Sequence, residues 1–361
     1  MIDRRTFGLA AAATLAGGAA MASTKANIPV VIAHRGASGE RPEHTEMAYS
    51  LAVDQGADFI EPDLVLTRDG HFVCRHENEI GGTTDVEAHP EFAGRRTTKV
   101  IDGETLTGWF TEDFTLAELK TLHCRERLPQ LRPESAKMDG ASRIVTWHEL
   151  LLLKAYWDRK AGRTIGLYPE LKHPRHFAAA GLPMERRFAE ALKTAGFDRR
   201  DAPVFVQCFE VGPLKALRGL VKTPLVQLVS GEGGPADAPG TRYASMIDAA
   251  GLKTIASYAD GVGPEKSLVV PTDGASLLAP TALVAEAHAA GLKVHPWTVR
   301  RENYFLPTAL RSPGEGPDAM KAAGDVQALL AALFKAGVDG VFSDFPGEAV
   351  KARNRFIGGN A

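Results

Sequence analysis

Two short clusters near the start of the chain hold residue types that handle metal, phosphate and protons. The first reads His34-Arg35-Gly36-Ala37-Ser38-Gly39; the second runs through Glu61-Pro62-Asp63, Thr67-Arg68-Asp69-Gly70 and Arg75-His76-Glu77. A strand sends alternate side chains to one face, so Glu61 and Asp63 point the same way. Asp69-Gly70 between apolar runs predicts a two-residue hairpin turn. Pairing Arg68 with His71 then sets His76 opposite Asp63. His34 and Arg35 end the apolar run Val30-Val31-Ile32-Ala33. A lone E-x-D is more often a structural ion pair, here with Arg35 or Arg75. Two carboxylates, two imidazoles and a guanidinium converging by geometry point instead to a metal-and-phosphate site.

Tyr168-Pro169-Glu170-Leu171-Lys172 repeats the spacing of two, so Glu170 and Lys172 share a face. Glu61, Asp63 and Glu170 together suit one hard divalent cation, calcium first and magnesium second; calcium takes several oxygen ligands, whereas magnesium is smaller and keeps more water. Arg35 offers phosphate a planar fork and Lys172 a point charge. His34 and His76 are the candidate general acid and base, because imidazole titrates near neutral pH; which takes which part stays open.

The elements that must position these residues alternate. Strand-like runs fall at 30–33, 59–66, 72–76, 164–172, 204–209, 225–229, 261–263, 294–299 and 338–343, with helical periodicity at 43–56, 186–195, 211–221, 280–290 and 325–336. Thr281 is the expected N-cap of the fourth of these helices, with Gly291 past its end. Such alternation over this length predicts a (β/α)8 TIM-type barrel, with active-site residues at the C-terminal ends of its strands. Nine runs are one too many, so one hairpin arm is expected outside the closed sheet. Residues 81–143 break the rhythm and read as an ordered insertion after the third strand run, a lid over the barrel mouth; Thr115 and Glu118 predict a capped short helix inside it.

The same residues resemble those of the glycerophosphodiester phosphodiesterase family, particularly its exported bacterial branch. The resemblance rests on His34-Arg35-Gly36, Pro42-Glu43-His44-Thr45, Glu61-Pro62-Asp63, Thr67-Arg68-Asp69-Gly70, His76-Glu77 and Tyr168-Pro169-Glu170-Leu171-Lys172, and it extends over residues 29–350. His44 stands where Asn is commoner, and Glu77 where Asp is usual. The resemblance implies hydrolysis of deacylated phospholipids such as glycerophosphocholine to glycerol 3-phosphate and an alcohol, directly or through a cyclic phosphate. It also implies a functional Glu43, on metal or on glycerol hydroxyls, and aromatic walls at Phe209 and Trp297. Asp344, in the closing Ser343-Asp344-Phe345-Pro346, reads as a support behind the site residues or as structural, with structural preferred.

Other classes weigh less. A phospholipase D-like enzyme on lysophospholipid or sphingomyelin would want an apolar rim, and no amphipathic membrane helix is evident. A non-catalytic glycerol-phosphate binding protein would not need both histidines and three carboxylates. A zinc amidohydrolase would want H-x-H where His34-Arg35-Gly36 stands. Arg4-Arg5 before an apolar run at 8–20 and Ala20-Met21-Ala22 read as an export signal over 1–22, placing a catalytic domain at 27–355 in the periplasm or outside the cell by the twin-arginine route, with an ordinary secretory signal as the alternative. Without that segment the formal charge goes from -2 to -3, which gives no general drive toward nucleic acid or anionic lipid. No run of about 18 apolar residues follows it, so no stable membrane insertion is expected. Cys74, Cys124 and Cys208 lack metal spacing. The expected partner is a small glycerophosphodiester.

Overall fold

The structure, a computed structural model, describes residues 28–359; the expected export signal lies outside them. The strands are β1 (Val30–His34), β2 (Phe59–Glu61), β3 (Asp63–Leu66), β4 (Phe72–Cys74), β5 (Thr97–Ile101), β6 (Glu104–Gly108), β7 (Gly166–Leu167), β8 (Glu170–Leu171), β9 (Val206–Cys208), β10 (Leu225–Val229), β11 (Gly261–Pro264), β12 (Lys293–Val294) and β13 (Gly340–Ser343). They pair as β13-β1-β2-β7 and as β12-β11-β10-β9-β8-β3-β4, with β5-β6 apart. All pairs in the two larger sheets are parallel except β3-β4.

Prolines explain why two runs appear as strand pairs. Pro62 separates β2 from β3, and Pro169 precedes β8; neither can donate to a ladder. The backbone bonds nevertheless continue across both, Tyr168 N to Ile60 O at 2.8 Å, Glu170 N to Pro62 O at 2.9 Å and Lys172 N to Leu64 O at 3.1 Å. At the other side, Asp339 N donates to Val294 O (2.9 Å), Phe342 N to Pro296 O (3.0 Å) and Val299 N to Phe342 O (2.8 Å), joining β13 to the run that begins with β12. The surplus run is β4, which pairs antiparallel with β3 at the sheet edge.

Side-chain alternation builds a floor and a site in successive layers. Ile32, Tyr168, Val226 and Phe342 form a small buried cluster of their own, apart from the large core that contains most of the remaining buried apolar residues. Three of them stand two residues before His34, Glu170 and Asp344, so the next inward-pointing side chain on each strand reaches the site. Tyr168 is fully buried, and its hydroxyl is satisfied by His295 Nδ1 at 2.7 Å.

Several boundaries differ from sequence expectation. The hairpin is one residue out of the predicted register: Leu64 faces Cys74 and Leu66 faces Phe72, so Asp63 lies across from Arg75, whose N–H donates to Asp63 O at 3.0 Å. Thr67 causes the slip. Its carbonyl accepts from Gly70 N (2.9 Å), its hydroxyl accepts from His71 N (2.9 Å), and Gly70 takes a left-handed φ of 81°; a three-residue loop results instead of a two-residue one. The first helix spans Glu46–Asp54, capped by Thr45 Oγ1 on Ala48 N, so Glu43 precedes the helix rather than opening it. Thr281 stands one position before the N-cap: Leu283–Ala289 has Ala282 there, and the Thr281 hydroxyl donates to Leu268 O (2.6 Å) while accepting weakly from Leu283 N (3.4 Å). Sequence periodicity missed the helix Trp147–Ala161, although Thr146 and Glu149 form a full capping box at its start.

Residues 81–143 are ordered. They contain 3-10 turns, the β5-β6 hairpin and the short helix Leu116–Leu119, which carries the expected Thr115–Glu118 capping box. Phe92, Trp109 and Phe114 are buried in the main core. The segment is tied to the hairpin loop by Arg68 N to Phe114 O (2.8 Å) and Leu116 N to Asp69 Oδ1 (2.9 Å). Cys74, Cys124 and Cys208 are all buried and free, as small core residues.

Candidate active site

β1 ends at His34, and the chain then turns sharply through Arg35 (φ 59°) and Gly36 (φ 86°). A Cβ on Gly36 would lie 2.6 Å from the carbonyl carbon of Ala48, in the first turn of the following helix. Only glycine permits that approach, and it leaves Arg35 N free to donate to Glu61 Oε2 at 2.7 Å. The turn therefore aims the Arg35 side chain across the ends of β2 and β3.

Glu61, Asp63 and Glu170 are buried and offer ligand oxygens all within 4.8 Å of one another. Their surroundings are uneven. Burial and the charges of Asp63 and Glu170 hold Glu61 well above the usual carboxylate range. Burial, with Asp63 alongside, pushes Glu170 up to about 8 even though Lys172 Nζ lies 3.0 Å away. Asp63 is held well below its usual range: burial opposes ionisation there, but Lys172, His76, His44 and Arg35 overcome it. Asp63 Oδ1 nevertheless has no hydrogen-bond partner, although buried. Three oxygen donors with an orphaned carboxylate oxygen fit a hard divalent cation.

The two histidines are built alike. His34 Nδ1 meets Asp344 Oδ1 at 2.6 Å, and His76 Nδ1 meets the Glu77 carboxylate. With Nδ1 engaged, Nε2 is the nitrogen left for chemistry on each ring. Burial and Arg35 lower the His34 pKa to about 4; burial, Arg35 and Lys172 lower that of His76 to about 3. Both are thus neutral at physiological pH before an anion enters. Asp344, for which the sequence left open a support behind the site or a structural part, is the carboxylate on His34, and also accepts from Arg132 Nη2 (2.5 Å) and Arg300 Nε (2.8 Å).

A cavity of about 300 Å³ gathers His34, Arg35, Glu61, His76, Glu170, Lys172, Phe209 and Trp297. Asp63 lies beside its floor, 4.0 Å from Lys172 Nζ. The Phe209 and Trp297 rings meet edge-on at 5.6 Å, and Trp297 Nε1 is fixed on Gly263 O (2.8 Å). Glu43 lies behind Arg35 rather than among the residues that line the cavity: its carboxylate accepts from Arg35 Nη1 (2.9 Å) and from both Arg127 Nε (2.8 Å) and Nη2 (2.5 Å). His44 is also placed by contacts: Nε2 meets Asp63 Oδ2 at 2.9 Å and Nδ1 meets the Tyr49 hydroxyl at 2.9 Å. Its φ of 56° suits the left-handed region that Asn and His tolerate better than most side chains.

Three arginines went unassigned from sequence. Arg127 spans Glu43 and Glu77, meeting the latter at 2.9 and 2.6 Å. Arg132 joins Asp344 to Glu302 (2.7 Å). Arg300 lines the cavity. Arg300 had a signal, as the last residue of His295-Pro296-Trp297-Thr298-Val299-Arg300; the two insertion arginines had none, since only tertiary packing brings them to the strand ends.

The model of the Glycerophosphoryl diester phosphodiesterase family matches residues 34–348. Glycerophosphodiester phosphodiesterase GDPD6 of Arabidopsis thaliana is 36% identical over 332 residues, covering 88% of this chain and 84% of the relative. The glycerophosphodiester phosphodiesterase of Haemophilus influenzae is 29% identical, with 95% and 96% covered. Among solved structures, a putative glycerophosphoryl diester phosphodiesterase from Silicibacter pomeroyi superposes with TM-score 0.64 at 23% identity, covering 91% and 94%. A phosphodiesterase of Oleispira antarctica in complex with the product sn-glycerol-3-phosphate gives 0.59 at 22%, covering 91% and 97%. These likenesses imply the TIM-barrel fold for the ring of parallel strands described above. The chain is an enzyme of the glycerophosphoryl diester phosphodiesterase family, a phosphoric diester hydrolase.

Proposed function

We propose that this enzyme converts deacylated phospholipids such as glycerophosphocholine to glycerol 3-phosphate and an alcohol by paired histidine acid–base catalysis. The observation that carries the reading is the pair of imidazoles, each backed by a carboxylate, in one cavity with Arg35, Lys172 and the three-carboxylate cluster. Glu61, Asp63 and Glu170 would hold the cation, calcium in preference to magnesium because the donors are all carboxylates in a buried cluster. That cation would neutralise charge developing on phosphorus-bound oxygens. Arg35 and Lys172 hold the phosphate oxygens. One imidazole takes the proton of the attacking oxygen at Nε2; as the bond from phosphorus to the leaving oxygen breaks, the other delivers a proton to that oxygen. Phe209 and Trp297 wall the substrate. The assay is turnover of glycerophosphocholine by metal-stripped and calcium-loaded protein, with products identified by phosphorus NMR. No glycerol 3-phosphate from the loaded protein would overturn the reading.

The ordered segment 81–143 acts as a lid that completes the site, through Arg127. Arg127→Ala is expected to lower kcat ~10–100-fold, the usual cost of removing an outer support of a reacting group. Arg127→Lys should recover only part, because one ammonium cannot reproduce four directed bonds to two carboxylates. The pH profile of kcat should shift in both variants, since Glu77 then holds His76 alone; an unmoved profile would leave Arg127 a purely structural tie.

Export by the twin-arginine route remains the proposal for residues 1–22, supported by Arg4-Arg5 and the apolar run that follows. Replacing both arginines by Lys should leave precursor in the cytoplasm. Normal processing and export of that variant would refute the route.

A further inference from the structure

A second cavity, about 210 Å³, opens beside the first and shares Glu170, Lys172 and Phe209 with it. We propose that this side pocket is a head-group subsite that favours phosphodiesters whose leaving alcohol carries a positive charge. The proposal rests on the phosphodiesterase reading above, which it extends to substrate class.

The two cavities meet where a leaving group must go. A phosphate held by Lys172 lies at the shared wall, and a leaving alcohol directed past Phe209 enters the side pocket. Its remaining walls carry the Tyr243 ring and the carboxylates of Asp102 and Glu210; the Lys172 ammonium already lies 5.8 Å from the centre of the Phe209 ring, so Tyr243 is the aromatic face offered to a ligand cation. Phe209 and Tyr243 pack edge-on with centroids 6.2 Å apart. Asp102 reaches in from the turn between β5 and β6, and Glu210 from the end of the segment after β9.

Glu210 is the telling group. It is 3% exposed, and its oxygens accept only from the backbone N–H of Arg175, at 3.2 and 3.0 Å; no basic side chain pairs with it among the described residues. The Arg175 guanidinium turns away to Ala236 O, and Lys172 is engaged with Glu170 at 3.0 Å. His173 meets Asp102 at 2.6 Å. Burial, with Asp102 and Asp237 nearby, pushes the Glu210 carboxyl up to about 8. A buried carboxylate without a cation is costly, and a ligand cation against it and an aromatic face relieves that cost. A quaternary or primary ammonium on a short alcohol has the charge and size this pocket accommodates; a second anion does not.

The test uses calcium-loaded full-length protein and two substrates of one shape. Glycerophosphocholine is compared with its neutral isostere, the 3,3-dimethylbutyl diester of glycerol phosphate. Wild type should prefer the cation roughly tenfold in kcat/KM, the scale of a desolvated cation–aromatic contact. Glu210→Gln, which keeps an acceptor for Arg175 N, and Asp102→Asn should each cut that preference ratio at least threefold. Equal turnover of both substrates by wild type overturns the subsite and leaves the phosphodiesterase reading standing. A wild-type preference that both folded variants retain also overturns it. Turnover of neither diester sinks the phosphodiesterase reading and the subsite with it. The wild-type comparison decides alone should either variant fail to fold.

Discussion

His34→Ala and His76→Ala should each lose ~10²–10⁴-fold in kcat on glycerophosphocholine, about 3–5 kcal/mol of barrier, while the protein stays folded. The fold should survive because neither change strands its partner carboxylate. Asp344 keeps Arg132 and Arg300, and Glu77 keeps Arg127. The removed imidazoles face a cavity, so little packing is lost.

A leaving group that needs no proton separates the two roles. With a p-nitrophenyl ester, the variant lacking the general acid should recover most of its rate, and the variant lacking the base should not. The depressed imidazole pKa values, about 4 and 3 in the substrate-free site, add a requirement: the acid must gain its proton as the phosphodiester anion enters and offsets Arg35 and Lys172. The same shifts carry a stability sign. A histidine whose folded pKa lies below the unfolded 6.5 contributes stability present above that value and lost as pH falls toward 4. His34→Ala should therefore flatten the decline in thermal stability between pH 6.5 and 4. Two folded, metal-loaded variants within threefold of wild type on glycerophosphocholine would rule out the paired mechanism.

What the sequence disclosed about this site divides by range of interaction. Spacings of two on a strand are local and survive folding, so Glu61, Asp63, Glu170 and Lys172 converge as expected. His76 reached the cavity although the hairpin register slipped by one, because it lies one residue beyond Arg75, the last to bond across the hairpin, where the chain bends at 76–78 and leaves the ladder. The helix start was misread for a local reason of another kind: Thr45 caps the helix, so Glu43 lies outside it, within reach of two guanidiniums. Arg127 and Arg132 were illegible because they lie in a segment without strand or helix periodicity, and their partners are distant in sequence, Glu43 by 84 residues and Asp344 by 212.

The three carboxylates yield the other large effect. Glu61→Gln, Asp63→Asn and Glu170→Gln should each weaken calcium binding and lower kcat/KM by about 10³-fold at limiting calcium, since a bound cation supplies several kcal/mol of charge stabilisation. Excess calcium should restore part of the rate in each. Stability separates this from simple loss of structure. In metal-free protein the raised Glu170 and Glu61 groups favour folding when protonated. Their contribution is full below the unfolded value near 4.5 and is lost as pH rises, for Glu170 through about 8. Metal-free wild type should therefore lose thermal stability between pH 5 and 8. Calcium should reverse that loss, because at a hundredfold excess over Kd a ligand adds about 2.7 kcal/mol, and its affinity should rise with pH as bound protons leave. Glu170→Gln should flatten the metal-free slope while blunting the calcium response. Calorimetry showing wild-type calcium affinity in all three variants would remove the cation from this cluster.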